Sequence, residues 1–89
     1  MGPGELIRTA KQQVAELTGL RPETVSGLDR DGDGAWVIRV EALELTRVPE
    51  TMDVLGSYEV TLSDDGELRG FRRLRRYHRA ATDDEGRGR

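Results

Sequence analysis

Three groups of side chains in this 89-residue chain have types and spacings that could carry chemistry. The segment Asp29-x-Asp31-x-Asp33-Gly34 imitates the first half of a calcium loop. Such a loop needs oxygen ligands at positions 1, 3 and 5, glycine at 6 and a bidentate glutamate at 12. Position 12 here is Val40, and Glu41 falls one residue late. Val37–Val40 also reads as strand where a second helix should begin. A polar hairpin turn is expected, and no metal is assigned. The second group is Glu41 and Glu44. A spacing of three on a strand turns them to opposite faces unless a bulge re-aims one, and no second catalytic group stands against them. The third group is 69-RGFRRLRRYHR-79, in which Phe71 and Tyr77 interleave with six arginines.

Other chemistries lack their parts. The chain has no cysteine and one histidine, His78. Disulfides, thiolate catalysis and thiolate metal sites are excluded. A histidine metal site or a Ser–His triad would rest on one imidazole. Ser57 and Ser63 sit in no nucleophile elbow. Gly32-x-Gly34 lacks the Walker lysine and the dinucleotide spacing. No enzyme and no cofactor are expected.

Charge is abundant and segregated. Charged residues make up 35% of the chain, and the net charge is -3. Residues 49–67 hold Glu50, Asp53, Glu59, Asp64, Asp65 and Glu67 and no base, whereas 68–79 hold six arginines and no acid. Adjacent blocks of opposite sign predict neighbouring elements that pair, or a polarised binding surface. Arginine and aromatics on a strand also suit a single-stranded nucleic-acid platform. A pI near 5.1 weighs against that reading, because such affinity rests on neutralising phosphates. No apolar run approaches the roughly 20 residues that cross a bilayer. The N-terminus has no hydrophobic stretch of the signal-peptide kind, so the chain is expected to stay where it is made.

The elements that must position these groups can be read from periodicity. Ile7, Ala10, Val14 and Leu17, with Leu6 beside them, share one face of a helix over 5–18. Gly4 is the expected N-cap and Gly19 the left-handed C-cap. Arg21-Pro22 stops the helix. Strands are expected at Val25–Asp29, Ala35–Val48, Val54–Ser63 and Leu68–Arg79. The second changes phase after Val40, which predicts a bulge near Glu41–Leu43. Two registers are open for the last hairpin. A two-residue turn sets Val60 opposite Phe71 and Tyr58 opposite Arg73. A three-residue turn sets Leu62 opposite Leu68 and Tyr58 opposite Arg72. The expected fold is α+β: a single domain over 1–79, with the amphipathic helix packed on a three- to four-stranded antiparallel meander in two layers. Residues 80–89 are expected to be a disordered tail.

The block from Trp36 to Arg79 resembles the gas vesicle protein GvpO family. The resemblance rests on Trp36 opening a strand, then Glu41, Glu44, Arg47, Pro49, Thr51, Asp53, Tyr58 and Glu59, then Asp65-Gly66-Glu67-Leu68, and last Arg73, Arg76, Tyr77 and Arg79. It implies a cytoplasmic, non-enzymatic accessory protein of gas vesicle formation, in association with the vesicle. Its expected partners are other gas vesicle proteins, with no membrane. The alternative is a nucleic-acid-binding regulator that uses the last strand. The candidate partner-binding residues are Arg47, Pro49, Asp53, Tyr58, Arg72, Arg73, Arg76 and Tyr77. Arg47, Pro49 and Asp53 would fix the loop between two strands, with an Arg47–Asp53 ion pair as its simplest brace.

Overall fold

The computed structural model describes residues 2–80; of the expected 80–89 tail, residues 81–89 lie outside that range. Helix α1 runs Pro3–Thr18. It starts two residues before the expected position, because Pro3 suits a first turn where a missing N–H costs nothing. Gly2 is the N-cap, and its N–H donates to the Glu5 carboxylate at 3.4 Å. At the other end Gly19 takes φ 76° and donates to the Ala15 carbonyl at 2.8 Å. The fully buried helix residues are Leu6, Ala10 and Val14, while Leu17 is 51% exposed. The core stripe is thus the i, i+4, i+8 row Leu6, Ala10 and Val14, all three on the expected face, while Ile7 is only partly buried and Leu17 turns toward solvent at its edge.

Four strands follow: β1 Arg21–Arg30, β2 Trp36–Leu45, β3 Val54–Leu62 and β4 Leu68–His78. They form one antiparallel sheet in the order β1-β2-β3-β4. β1 is twice the length of the expected segment. It absorbs Pro22 because it is an edge strand, where one lost donor is tolerated. In the β1–β2 connection the Asp31 carboxylate accepts the N–H groups of Asp33 (2.8 Å) and Ala35 (3.0 Å). That is turn chemistry, as expected. β2 ends at Leu45, short of Val48, and its irregularity falls between Leu43 and Leu45. Glu44 is therefore the extra residue. A 3-10 turn at Glu50–Met52 leads into β3.

One face of the sheet meets α1. Ile38, Val40, Ala42, Tyr58, Val60 and Leu62 pack with Leu6, Ala10 and Val14, and Trp36, Val25, Leu28, Leu20 and Phe71 close the margins. Each fully buried aliphatic side chain contributes about 1.5–3 kcal/mol. The described residues thus form one α/β interface, of the expected two-layer kind.

The last hairpin uses both registers. Ser63 accepts from Gly66 and donates to Glu67, with Gly66 at φ 86°, so the turn has three residues and Leu62 faces Leu68. One irregularity later, Thr61 faces Gly70, Val60 faces Phe71 and Tyr58 faces Arg73. Arg69 is the residue taken up. A second irregularity follows, because Tyr58 faces Arg73 but Ser57 faces Arg75, leaving Leu74 as the extra residue. This second bulge sets the side-chain phase of the arginines.

Candidate functional site

On the helix side of the sheet, the arginines of β4 converge on Glu44. Its side chain is 7% exposed. Its carboxylate accepts the Tyr58 hydroxyl at 2.6 Å, Arg76 Nε at 3.0 Å and Arg73 Nη1 at 3.4 Å. Burial pushes the Glu44 carboxyl up. The Tyr58 hydroxyl and the Arg73 and Arg76 charges outweigh it and hold the group below its ordinary value. Burial and the same carboxylate push the Tyr58 phenol up to about 12. Gly56 makes room for this cluster. A Cβ there would lie 2.1 Å from Glu44 Oε2 and 2.9 Å from Tyr58 Cε1. Arg73 and Arg76 stay 49% and 59% exposed. Two cations share one anion and keep N–H groups turned to solvent.

The opposite face, which α1 does not cover, is built on Glu41. Each of the other three strands gives its carboxylate one hydroxyl: Ser26 from β1, Ser57 from β3 and Tyr77 from β4, all at 2.6 Å. Burial raises the Glu41 carboxyl, but the three hydroxyls and the Arg75 charge bring it below its ordinary value. The Tyr77 phenol is pushed up to about 12 by burial and by Glu41. Its ring lies 4.7 Å under the Arg75 guanidinium. Arg72 pairs with Glu59 across β3–β4 at 3.0 Å. Glu41 and Glu44 therefore do point to opposite faces, as their spacing predicts, and they share no chemistry.

The third assembly fixes the β2–β3 connection. Asp53, almost fully buried, accepts the backbone N–H of Arg47 at 2.8 Å and Arg79 Nη2 at 3.1 Å. The Arg47 N–H, followed by Arg79, lowers its pKa despite burial. Arg79 also takes Glu23 of β1 in a two-pronged pair at 3.0 and 3.1 Å. These carboxylates hold the Arg79 guanidinium well above its ordinary value. The expected Arg47–Asp53 ion pair is absent. Arg47 braces the loop through its backbone, and the cation on Asp53 is Arg79. The Val48–Pro49 peptide is cis.

The candidate residues thus fall into three places. Tyr58, Arg73 and Arg76 share the helix-side cluster, Arg72 and Tyr77 lie on the open face, and Arg47, Pro49 and Asp53 form the loop. The acidic block does pair with the arginine strand, through Glu59 and Asp53. Glu44, outside that block, takes Arg73 and Arg76 of β4, and Glu23, also outside it, takes Arg79 just beyond the strand. At the far end Asp64 instead pairs with Arg30 and accepts from Trp36 Nε1 at 3.0 Å. Sequence reasoning missed Ser26, Ser57, Gly56 and Arg79 as parts of these clusters. Gly56 carried a signal, since a glycine inside a strand often marks a close approach, and Arg79 was marked by the family pattern alone.

Comparison with known proteins agrees with the residue pattern. The family model described as "Gas vesicle synthesis protein GvpO" matches residues 1–83. A Streptomyces protein named gas vesicle protein O is 53% identical over 91% of this chain and 62% of its own length. A protein of the same name from Haloferax mediterranei is 32% identical over 85% of this chain and 54% of its own. Gas vesicle protein O1 of Halobacterium salinarum is 40% identical over 60% of this chain. The chain thus spans a little over half the length of the first two relatives. No solved structure matches. Among the described residues no helix is long and apolar enough to cross a membrane. With the family match running from the helix through the arginine strand, this chain belongs to the GvpO family of gas vesicle synthesis proteins.

Proposed function

We propose that the chain serves gas vesicle formation as a non-enzymatic accessory factor that binds other gas vesicle proteins in the cytoplasm, in assembly or its regulation. Family membership supports the setting. The observation that carries the binding role is the Arg73/Arg76 pair, half exposed around a single buried carboxylate. Glu44 fixes where the guanidinium groups point, and their outward N–H groups remain for carboxylates of a partner. The aromatic rings of β4 favour protein over nucleic acid. Phe71 stacks on Tyr58 at 5.6 Å, and one face of Tyr77 is occupied by Arg75, whereas single-stranded nucleic acid needs open ring faces.

The test is co-purification from cells expressing the whole gas vesicle gene cluster. The wild-type chain is expected to recover other gas vesicle proteins. The Arg73→Glu/Arg76→Glu variant, with its fold confirmed by circular dichroism, is expected to lose at least tenfold of that recovery. Unchanged recovery would overturn the assignment of the surface. Salt-dependent binding to DNA or RNA with no protein recovered would overturn the reading itself.

A further inference from the structure

The open face of the sheet carries a cleft of about 600 Å³ lined by Thr24, Ser26, Arg39, Glu41, Ser57, Leu74, Arg75 and Tyr77. Pockets of a few hundred to a thousand Å³ hold small ligands or several peptide side chains. The hydrogen-bond inventory of this cleft is unusual. Ser26, Ser57 and Tyr77 each own one hydroxyl proton, and each donates it to Glu41. Toward any occupant these three oxygens offer lone pairs only. Glu41 is 8% exposed and both of its carboxylate oxygens accept hydroxyl protons, so its charge is buried beneath the hydroxyls. The rim is the reverse. Arg39 on β2 and Arg75 on β4 are both exposed and both donors. An occupant that matches this arrangement brings N–H donors to the floor and anionic acceptors to the rim.

We infer that this cleft is a docking site for an acidic segment of a partner polypeptide, distinct from the Arg73/Arg76 surface. The backbone N–H groups of such a segment meet the hydroxyl oxygens of Ser26 and Ser57. Its carboxylate side chains meet Arg39 and Arg75. A polyphosphate satisfies the rim but offers the floor at most one terminal P–OH, not a row of N–H donors spaced along a backbone. Leu74 and the Tyr77 ring give the same segment apolar contact. The cleft is independent of the Arg73/Arg76 surface in residues and in face, although both serve a protein partner.

The experiment is a titration of the isotopically labelled full chain with a hexaglutamate peptide at low salt, followed by amide chemical shifts, with tripolyphosphate in parallel. The peptide is expected to shift Ser26, Arg39, Ser57 and Arg75 saturably, and tripolyphosphate to leave Ser57 unmoved. Arg39→Glu/Arg75→Glu is expected to weaken peptide binding at the cleft at least tenfold and to leave the response around Arg73 and Arg76 intact. Arg39→Glu alone, at an exposed side chain, is the second variant and is expected to lose several-fold. Peptide shifts confined to Arg73 and Arg76, unchanged affinity in Arg39→Glu, or identical floor shifts with tripolyphosphate would each overturn the inference. A lost cleft response with retained recovery of gas vesicle proteins would separate its failure from that of the proposed function.

Discussion

A methyl group added at Gly56 would meet the Glu44 carboxylate and the Tyr58 ring well inside contact distance. Something must move, and the cluster that orients Arg73 and Arg76 is what lies in the way. Gly56→Ala is expected to lower stability by about 1–3 kcal/mol, read from the urea midpoint. Gly27→Ala is the control. Its nearest neighbour, Arg39 Cβ, would be at an ordinary 3.6 Å, and a change within ~1 kcal/mol is expected. The two carboxylates also set a pH window. The Glu41 and Glu44 groups titrate lower in the folded chain than their ordinary 4.5. Their stabilisation is present above that value and is lost as pH falls through the lowered one. Tyr58 and Tyr77 move the other way, to about 12 from 10. Their contribution holds below pH 10 and is lost as pH rises toward 12. Glu41→Gln is expected to return the Tyr77 transition toward 10 and leave Tyr58 in place, measured by tyrosinate absorbance. Glu44→Gln is expected to do the reverse. Both tyrosines unmoved in both variants would contradict the two-cluster description.

At the scale of elements, the helix and the four strands were legible because their punctuation is local: Gly19, Pro22, the Asp-Gly turns and the alternation along β2 and β3. The helix face was legible as well, with Leu6, Ala10 and Val14 buried as expected, but its edges at Ile7 and Leu17 are less buried than the spacing suggests. Leu6 and Ile7 are adjacent, and periodicity alone does not say which of them sits over the sheet. Leu6→Ala is expected to cost about 2–5 kcal/mol, whereas Leu17→Ala, half exposed, is expected to cost under ~1 kcal/mol by denaturant unfolding. Equal costs would place Leu17 in the core stripe alongside Leu6. The division of β4 between faces was not legible. Without the Leu74 bulge, strict alternation would put Arg73 with Arg75 and Arg72 with Arg76. With it, Arg73 and Arg76 meet on Glu44 while Arg75 and Tyr77 face Glu41. A bulge is decided by tertiary partners, here two buried carboxylates on β2, and those partners are more than 25 residues away in sequence.

For the whole molecule, the polar groups act as cross-ties of a thin core. Arg79 joins Glu23 at the start of the sheet to Asp53 before β3, 56 and 26 residues away. Arg79→Gln is expected to lower the melting temperature by roughly 4–8 °C, the shift that about 1 kcal/mol produces in a domain of this size. An unchanged melting temperature would show that the tie is solvent-screened and idle. The ties also explain how a chain of net charge -3 presents cations. Acids of the β1–β2 and β3–β4 turns gather at one end with Arg69 beside them, and the later arginines of β4 lie away from them on both faces, Arg73 and Arg76 toward Glu44 and Arg72 and Arg75 on the open side. Of all the strands, β4 is the one that a partner is expected to touch. Hydrogen–deuterium exchange of the chain, alone and bound to a co-purified gas vesicle protein, tests it directly. New protection is expected over residues 71–77. Protection confined to the solvent-facing side of α1, with β4 unchanged, would contradict it.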